Sequence, residues 1–277
     1  TVLSSSVFVS VTGTPQSLLL QSTESTAHPS FVQLLEADPV EYTGAAAYFS
    51  NPDPCDNQYV SLIDEDEAFN INSEDATIPE GLKKAVTYFI LAATADSMKN
   101  QGKWAPYKML IHTSVNKVHH GRVRELLYPF IHDVTSAIRN PAAASSHEYV
   151  ELLKSSYGSL SKKVKNIAPF EDLLTIASKQ LARRKINEVN SKTTGMELRY
   201  VDGYNFVVGG NSVGRGLAFK DLLVTYYVRE AKTTNMDTMF QHARMFGYRR
   251  TYLEFTQVFL PPQLYDRFYA IADSDEQ

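Results

Sequence analysis

Three segments of this chain, residues 107–112, 204–208 and 222–228, are apolar at almost every position, and they constrain the possible folds most strongly. A strand with one face in water alternates apolar and polar residues, whereas a strand covered on both faces reads as a continuous apolar run. Between these runs lie segments whose apolar residues recur every three or four positions, as in amphipathic helices. The sequence therefore predicts an α/β fold with a parallel sheet and helices on both faces.

The same patterns predict the other elements. Pro79 is expected to start a long helix that ends near Lys99, and Pro129 to kink the next helix, because proline is tolerated in a first turn and disruptive later. The predicted strands are 7–11, 107–112, 185–190, 204–208, 222–228 and 255–260, and the predicted helices are 31–37, 79–99, 115–138, 145–156, 169–183, 235–247 and a terminal helix after Pro262.

Charge is distributed very unevenly along the chain. Residues 1–82 contain no Lys or Arg and 13 Asp or Glu, so the remainder holds all 27 basic and 18 acidic residues, a net charge of −13 followed by +9. The basic excess favours a polyanionic partner such as nucleic acid, although a solvated surface accounts for it equally well. Residues 51–78 are polar and acidic, and we expect a surface loop or linker in which the acidic run 64–67 is solvated.

Composition excludes several classes of protein. A single cysteine, Cys55, excludes a disulfide framework and a multi-thiolate metal site, and it fits a reducing compartment. The longest apolar-rich stretch, residues 85–95, is about half as long as a membrane span requires, and no secretory leader opens the chain. We therefore expect a cytoplasmic protein without a membrane partner. Because the chain begins in a strand-like run without an initiator Met, we also expect it to be part of something longer.

The segment 206–217 (FVVGGNSVGRGL) is the most informative candidate site. A buried strand that runs into four glycines lets backbone N–H groups approach a ligand closely, and Arg215 follows in the same loop. The segment is neither a Walker A loop nor a G-x-G-x-x-G unit. By spacing alone, a phosphate cradle and a tight structural turn are both consistent with it.

A second candidate follows in residues 237–250 (DTMFQHARMFGYRR). In a helix, Gln241 and Arg244 share one face, and Gly247 can end that helix and place Arg249 in the adjoining loop. A guanidinium on a short tether can stabilise charge on a transferring phosphoryl group, as an arginine finger does. The alternative is a solvated basic helix end that complements the helix dipole.

Metal sites have little support in the sequence. His147 and Glu148 begin a zinc-protease-like pattern, but position 151 is Glu where a second His is required. Asp53 and Glu230 offer pieces of a nuclease-type metal site at far too large a separation. We predict no metal site in this chain.

Both candidate segments occur in the order of motifs V and VI in the second RecA-like lobe of superfamily 2 helicases. More closely, residues 207–217, 224–227 (VTYY) and 237–250 resemble the Z-one (Z1) domain family. Residues 12–15 (TGTP) resemble motif III, and residues 110–114 (LIHTS) followed by His119 and His120 resemble a family strand with a trailing histidine pair. The resemblance implies that residues 1–50 end a DEAD-like lobe and its connector, that 51–78 are an acidic loop or linker, and that 79–277 form a RecA-like second motor lobe.

The resemblance further implies an ATP-dependent DNA translocase of a restriction or phage-defence system, with ATP and Mg²⁺ held mainly by an upstream DEAD-like lobe. Its partners would be the DNA phosphate backbone, that upstream lobe and a nuclease subunit. The family's older description as an endonuclease implies metal-dependent DNA cleavage as an alternative, and a catalytically silent docking lobe is a third. The sequence contains no Walker A motif and departs from the motifs at Gly13, Ala243 and Met245.

Residue roles carry over from the same resemblance. The catalytic candidates are Arg249 on the γ-phosphate, Arg244 as its assistant or anchor, and Gln241 as a sensor of phosphate or water. The candidates for nucleotide or DNA phosphate contacts are Gly209, Gly210, Arg215, Gly216, Thr12 and Thr14. The candidates for coupling hydrolysis to movement are His112, Ser114 and His120.

Overall fold

A computed structural model describes residues 30–33, 38, 40–73, 76–114, 117–189, 198–210, 219–229 and 244–275. The chain divides into two compact units, Thr1–Asp38 and Pro39–Gln277. In the first unit, residues 31–33 are not helical, although they open the predicted helix 31–37, and the predicted strand 7–11 lies outside the described residues. The second unit contains all the elements named below.

The second unit alternates strands and helices along the chain. Its described strands are β1 (Tyr42–Thr43), β2 (Val60–Leu62), β3 (Pro106–His112), β4 (Lys185–Val189), β5 (Gly203–Gly209), β6 (Leu222–Tyr227), β7 (Gly247–Tyr248) and β8 (Gln257–Leu260). Its described α-helices are α1 (Ala46–Phe49), α2 (Glu67–Asn72), α3 (Glu80–Lys99), α4 (Lys117–Arg139), α5 (His147–Ser161), α6 (Phe170–Gln180) and α7 (Pro262–Asp275).

Six of the strands form one parallel sheet in the order β2-β8-β6-β3-β5-β4. Every residue of β5 and β6 is buried, as the continuous apolar runs predict. Strands β1 and β7 form a separate antiparallel pair that joins Tyr42 to Tyr248. The predicted parallel α/β architecture is confirmed, and it is consistent with a RecA-like fold.

Helices cover both faces of the sheet. On one face, helices α3 to α6 pack on alternate side chains of the central strands, among them Met109, Phe206 and Val224. On the other face, α1 and α7 pack on the intervening side chains of β6 and β8, and Phe49 stacks on Phe268 with ring centroids 4.9 Å apart. Each central strand therefore buries side chains on two sides, which explains why its sequence lacks the period of two. No helix within the described ranges combines the length and apolar character that a membrane span requires.

Helix α3 shows how local sequence sets an element's limits. It begins directly after Pro79, whose extended backbone (φ −68°, ψ 154°) leads into the first turn. It ends at Lys99, where the Asn100 N–H bonds back to the Asp96 carbonyl, and Gly102 follows with φ 77°. Both limits agree with the predicted helix. The next helix, α4, continues through Pro129.

The predicted loop at 51–78 is wrong for residues 60–72. Strand β2 pairs with β8 at the edge of the sheet, from Val60 opposite Val258 to Leu62 opposite Leu260, and α2 follows it. Val60 and Ile63 are buried, and this apolar contact orders a segment whose composition is otherwise that of a solvated loop. Residues 40–73 also belong to the same compact unit as the main sheet. The assignment of residues 1–50 to an upstream lobe stays a prediction.

Two C-terminal limits also differ from the prediction. Residues 244–246 are not helical, and Gly247 and Tyr248 form β7, so the helix predicted for 235–247 does not reach its expected end. The segment Arg250–Phe255 is a 3₁₀-helix, and β8 starts at Gln257 rather than at residue 255. Pairing of β7 with β1, which lies about 200 residues earlier, overrides the local helical pattern here.

Candidate functional site

The carboxyl edge of the parallel sheet is where β2, β3, β5 and β6 end together. From β3 the chain passes to β4 at one border of the sheet, returns to β5 beside β3, and then crosses β3 to form β6 on its other side. The strand order therefore reverses its direction at β3. Open α/β sheets bind ligands at a reversal of this kind, outside the carboxyl ends of the strands. The strand ends at this reversal are His112 of β3, Gly209 of β5 and Tyr227 of β6.

The two glycines at the end of β5 meet the junction between β3 and α4. Gly209 pairs with Val189 as the last residue of β5, and Gly210 follows directly. A Cβ on Gly210 would lie 2.7 Å from the Ser114 carbonyl oxygen and 3.1 Å from the His120 ring. Such contacts are too short for any other residue, so the backbone needs glycine at position 210. The structure thus brings together four of the predicted site residues, Gly209, Gly210, Ser114 and His120.

The imidazole of His120 is held by the strand end that precedes its helix. Its Nε2 donates to the Ser114 carbonyl oxygen at 2.8 Å, because a carbonyl oxygen can only accept. The neighbouring His119 places its Nδ1 3.0 Å from the Ser114 Oγ. Burial, together with the nearby charge of Arg122, lowers the pKa of His119. Both histidines are therefore held by Ser114, one through its carbonyl and one through its hydroxyl.

His112 lies at the same edge but faces a different neighbour. It is the last residue of β3, it is fully buried, and its ring meets the Tyr227 ring edge to face with centroids 5.0 Å apart. Tyr227 in turn packs on Phe268 of α7. The structure therefore connects His112 to the helices on the second face of the sheet, rather than to the pair formed by Ser114 and His120.

Several buried polar atoms around this junction make no hydrogen bond within the described part of the chain: Thr113 Oγ1, His120 Nδ1 and Asn72 Oδ1. Asn72 reaches the junction from α2, where its Nδ2 donates to the Ala68 carbonyl at 2.7 Å and to the Thr113 carbonyl at 3.4 Å. Arg122 of α4 donates to the Asn72 and Ser73 carbonyls, both at 3.3 Å. Buried polar groups in native proteins are nearly always paired, so these three atoms are candidates for contact with water, with a ligand or with residues outside the described ranges.

Glu67 forms a second buried polar centre at the same edge. Its side chain is 4% exposed, Oε1 accepts from the Gly81 N–H at 2.6 Å, and Oε2 accepts from the Tyr226 hydroxyl at 2.8 Å. Burial raises the pKa of this carboxyl, although the two hydrogen bonds oppose the shift. Glu67 thereby joins α2, the start of α3 and β6. The prediction that residues 64–67 are solvated is therefore wrong for Glu67. The apolar residues Val60, Leu62 and Ile63 just before this run are the sequence signal for a strand.

Replacing Glu67 with glutamine is expected to flatten the pH dependence of stability. Because the folded-state pKa is raised, the folded protein binds more protons than the unfolded chain above pH 4.5, so the carboxyl makes stability fall as the pH rises through this range. The amide of the Glu67→Gln variant would accept from Gly81 and donate to Tyr226 without ionising. Urea unfolding at several pH values between 4.5 and 8 measures the difference. Glu65→Gln, at an exposed position of the same run, should keep the wild-type slope, and an unchanged slope in Glu67→Gln would contradict the assignment.

Arg249 lies at the opposite edge of the sheet. Its Nη1 donates to the Leu222 carbonyl at 2.7 Å, and Leu222 is the first residue of β6, so the guanidinium sits at the amino edge. Nη2 donates to the Arg244 carbonyl at 2.5 Å and Nε to the Phe246 carbonyl at 3.4 Å, and the residue is 5% exposed. The structure does not bring Arg249 to the glycine bend. These contacts form a structural clamp, and the arginine-finger role stays a prediction.

Arg244 belongs to this clamp through its backbone. It has a left-handed conformation (φ 52°), and its carbonyl oxygen accepts the bond from Arg249. Burial lowers the pKa of its own guanidinium. The remaining predicted site residues lie outside the described residues: Gln241, Arg215, Gly216, Thr12 and Thr14.

Within the described ranges, no group of three or more His, Cys, Asp or Glu side chains is placed to hold a metal ion. The carboxyl edge instead offers a hydroxyl on Thr113, an imidazole on His120 and the start of α4. Backbone N–H groups at the start of a long helix favour a phosphate or another anion. This edge can therefore position a phosphate-bearing ligand.

Comparison with known proteins gives one match. The family model of the Z1 domain matches residues 81–277, which is most of the chain and includes the β3–α4 junction, the glycine bend and the Arg249 clamp. No curated protein and no solved structure matches the chain.

Proposed function

This chain belongs to the Z1 domain family, and we propose that it forms the second lobe of an ATP-dependent DNA translocase or helicase-like motor. In this proposal the carboxyl edge of its sheet faces nucleotide or DNA phosphates, while ATP and Mg²⁺ are held mainly by a DEAD-like lobe. A restriction or phage-defence system with a nuclease subunit is the proposed context. Metal-dependent DNA cleavage is the competing function.

The observation that carries the proposal is the contact between the glycine bend and the β3–α4 junction. Gly210 touches both the Ser114 carbonyl and the His120 ring, so a shift of the loop after β5 must move the start of α4. Interiors are close-packed and respond to such a shift by discrete repacking rather than by gradual deformation. The contact therefore supports a lobe that couples the state of a bound phosphate to a change in DNA contacts.

The chain's own residues would provide positioning and charge, which are the main requirements of phosphoryl transfer. Gly209 and Gly210 stay candidates for phosphate contact through their backbone, and His120 would hold the junction in one arrangement through Ser114. Arg122 and Arg229, which follow β3 and β6 at this edge, are candidates for contact with phosphate oxygens. Thr12, Thr14, Arg215, Gly216 and Gln241 stay candidates for the same ligand. Arg249 and Arg244 are assigned the clamp at the amino edge.

The proposal predicts DNA-stimulated ATP hydrolysis by the complete protein that carries this chain. His120→Ala removes the hydrogen bond to Ser114 and should lower the DNA-stimulated rate about tenfold or more, since it releases the junction from a defined geometry. His132→Ala is the matched control, because His132 lies on the same helix with a side chain 73% exposed. Steady-state hydrolysis with and without duplex DNA measures both variants.

Three other results would each contradict the proposal. Cleavage of DNA that depends on Mg²⁺ and not on ATP would favour the endonuclease alternative. Absence of both hydrolysis and cleavage would favour a silent docking lobe. DNA-stimulated hydrolysis that His120→Ala and His132→Ala leave equally unchanged would remove the coupling role from the β3–α4 junction.

A further inference from the structure

A pocket of about 360 Å³ lies at the amino edge of the sheet, at the opposite end of the strands from the glycine bend. It opens to solvent and is lined by the end of α3, the segment that leads into β3 and the 3₁₀-helix after Arg249. Its volume is at the lower end of the range for small-molecule sites and suits one small group. Its lining includes Asp96, Trp104, Tyr107, Asp221, Tyr252 and Lys103.

Asp96 is the buried carboxylate of this pocket. It is 7% exposed, its Oδ2 accepts from the Tyr107 hydroxyl at 2.6 Å, and its Oδ1 accepts from Asn100 Nδ2 at 3.1 Å. Both of these donors are neutral, so they orient the carboxylate without neutralising it. Burial raises the pKa of Asp96, the Tyr107 hydrogen bond and the charge of Lys99 oppose this shift, and the charge of Asp221 adds to it. A cation in the pocket would further favour the charged carboxylate.

Asp221 lies on the other side of the pocket, directly before β6. It has a left-handed backbone (φ 59°), which aspartate and asparagine tolerate better than most residues, and its carbonyl accepts from the Lys108 N–H at 2.9 Å. The nearby cations have other partners: Lys99 pairs with Glu254, Arg249 lies close to Tyr252 but donates to three carbonyls, and Lys103 is exposed at the rim. The Lys108 ammonium interacts with the charge of Asp221, but its hydrogen bonds go to the Pro106 and Lys220 carbonyls. Asp96 and Asp221 line the same pocket, which aromatic residues border.

Three aromatic residues, Trp104, Tyr107 and Tyr252, line the same pocket. Trp104 and Tyr252 are half-buried, and Trp104 meets the Tyr107 ring at a centroid distance of 6.1 Å. A planar cation is attracted to aromatic faces and can at the same time bond a carboxylate through its N–H groups. An ammonium would pair with the carboxylates but would make less contact with the aromatic rings.

From this arrangement we propose that the pocket between Asp96, Asp221, Trp104 and Tyr252 binds a guanidinium group. The group would lie against the aromatic side chains and donate to Asp96 and Asp221. This inference is independent of the proposed motor function, because the pocket shares no residue with the carboxyl edge of the sheet. An arginine side chain of a protein partner and a free small-molecule guanidine are the two sources of such a group.

The single tryptophan of the chain lines this pocket, so intrinsic fluorescence reports on it directly. The probe is Nα-acetyl-arginine methylamide, titrated into the 277-residue chain at low ionic strength, with the citrulline and lysine counterparts as controls. A saturable change with the arginine probe, and binding at least about tenfold weaker with the other two, would support the proposal. No saturable change, or equal binding of the citrulline probe, would overturn it. Agmatine separates the sources: tighter binding than the arginine probe supports a small molecule, and weaker binding supports a protein side chain.

Two substitutions with opposite expected signs complete the test. Asp221→Asn keeps a residue suited to the left-handed backbone and removes one charge, and it should raise the Kd about tenfold. Lys103→Gln removes the cation at the rim and should lower the Kd about two- to threefold. Thermal unfolding of each variant verifies that the fold is intact. If both variants fold and bind the arginine probe with the wild-type Kd, the pocket is not the guanidinium site.

Discussion

Gly210→Ala is expected to lower DNA-stimulated ATP hydrolysis about 10- to 100-fold, because the new methyl group displaces the junction on which the proposed coupling depends. The added Cβ would lie 2.7 Å from the Ser114 carbonyl oxygen, which is a backbone atom and cannot rotate away, and 3.1 Å from the ring of His120. Relief of this overlap requires movement of β5 against the start of α4. Overpacking of this kind costs about 1–3 kcal/mol of folding stability. Hydrolysis assays and urea unfolding of the same preparation measure the two effects.

The control for this prediction lies next to His120. A Cβ on Gly121 would meet no atom within 4 Å, and position 121 is inside helix α4. Gly121→Ala should therefore keep the wild-type hydrolysis rate and raise the free energy of unfolding by about 0.5–1 kcal/mol, because alanine is the better helix former. If Gly210→Ala hydrolyses ATP as fast as Gly121→Ala does, the contact at Gly210 is not used in the motor cycle.

Arg249→Ala is expected to lower the free energy of unfolding by about 2–4 kcal/mol, because the substitution leaves the carbonyls of Leu222, Arg244 and Phe246 without their donor in a buried place. Arg249→Lys should lose less, since one ammonium can reach some of these oxygens but cannot reproduce the planar fork. Chemical denaturation of the 277-residue chain measures all variants.

The neighbouring Arg250 is the matched control, because it is exposed and Arg250→Ala should change stability by less than about 0.5 kcal/mol. This comparison also separates the clamp from an arginine finger. A finger contributes to the transition state and little to folding, so Arg249→Ala would then keep its unfolding free energy and lose hydrolysis. That result would contradict the clamp and restore the catalytic role predicted from the sequence.

Part of the candidate site could be predicted from the sequence. In a parallel sheet all carboxyl ends lie at one edge, so residues that directly follow buried strands must come together. Ser114 after β3 and Gly210 after β5 come together at His120 in this way, and the roles predicted for them stay predictions. These residues lie within a few positions of a strand end, and a few residues of chain cannot carry them to another edge.

The position of Arg249 could not be predicted, for the same geometric reason, and its predicted catalytic role stays a prediction. Residue 249 follows the end of β6 by 22 positions, which is more than enough chain to return to the amino edge and bond the first carbonyl of β6. The pairing of β7 with β1 sets that return path, and no local pattern around Arg249 encodes it.

Glu67 shows the complementary error. Its four-residue acidic run is typical of a solvated loop, and its burial depends on Gly81 and Tyr226, which are distant in sequence.

The sequence by itself determined the buried central strands, the helix after Pro79, the parallel arrangement and the glycine bend, because continuous apolar runs and glycines act through local sterics and through burial on two faces. Only the tertiary structure decided which edge each charged side chain occupies. Arg249 and Glu67 obtain their partners from segments far away in the chain, Leu222 for one and Tyr226 for the other. A hydrogen bond between distant segments depends on the path of the chain between them, and the residues at its two ends do not specify that path.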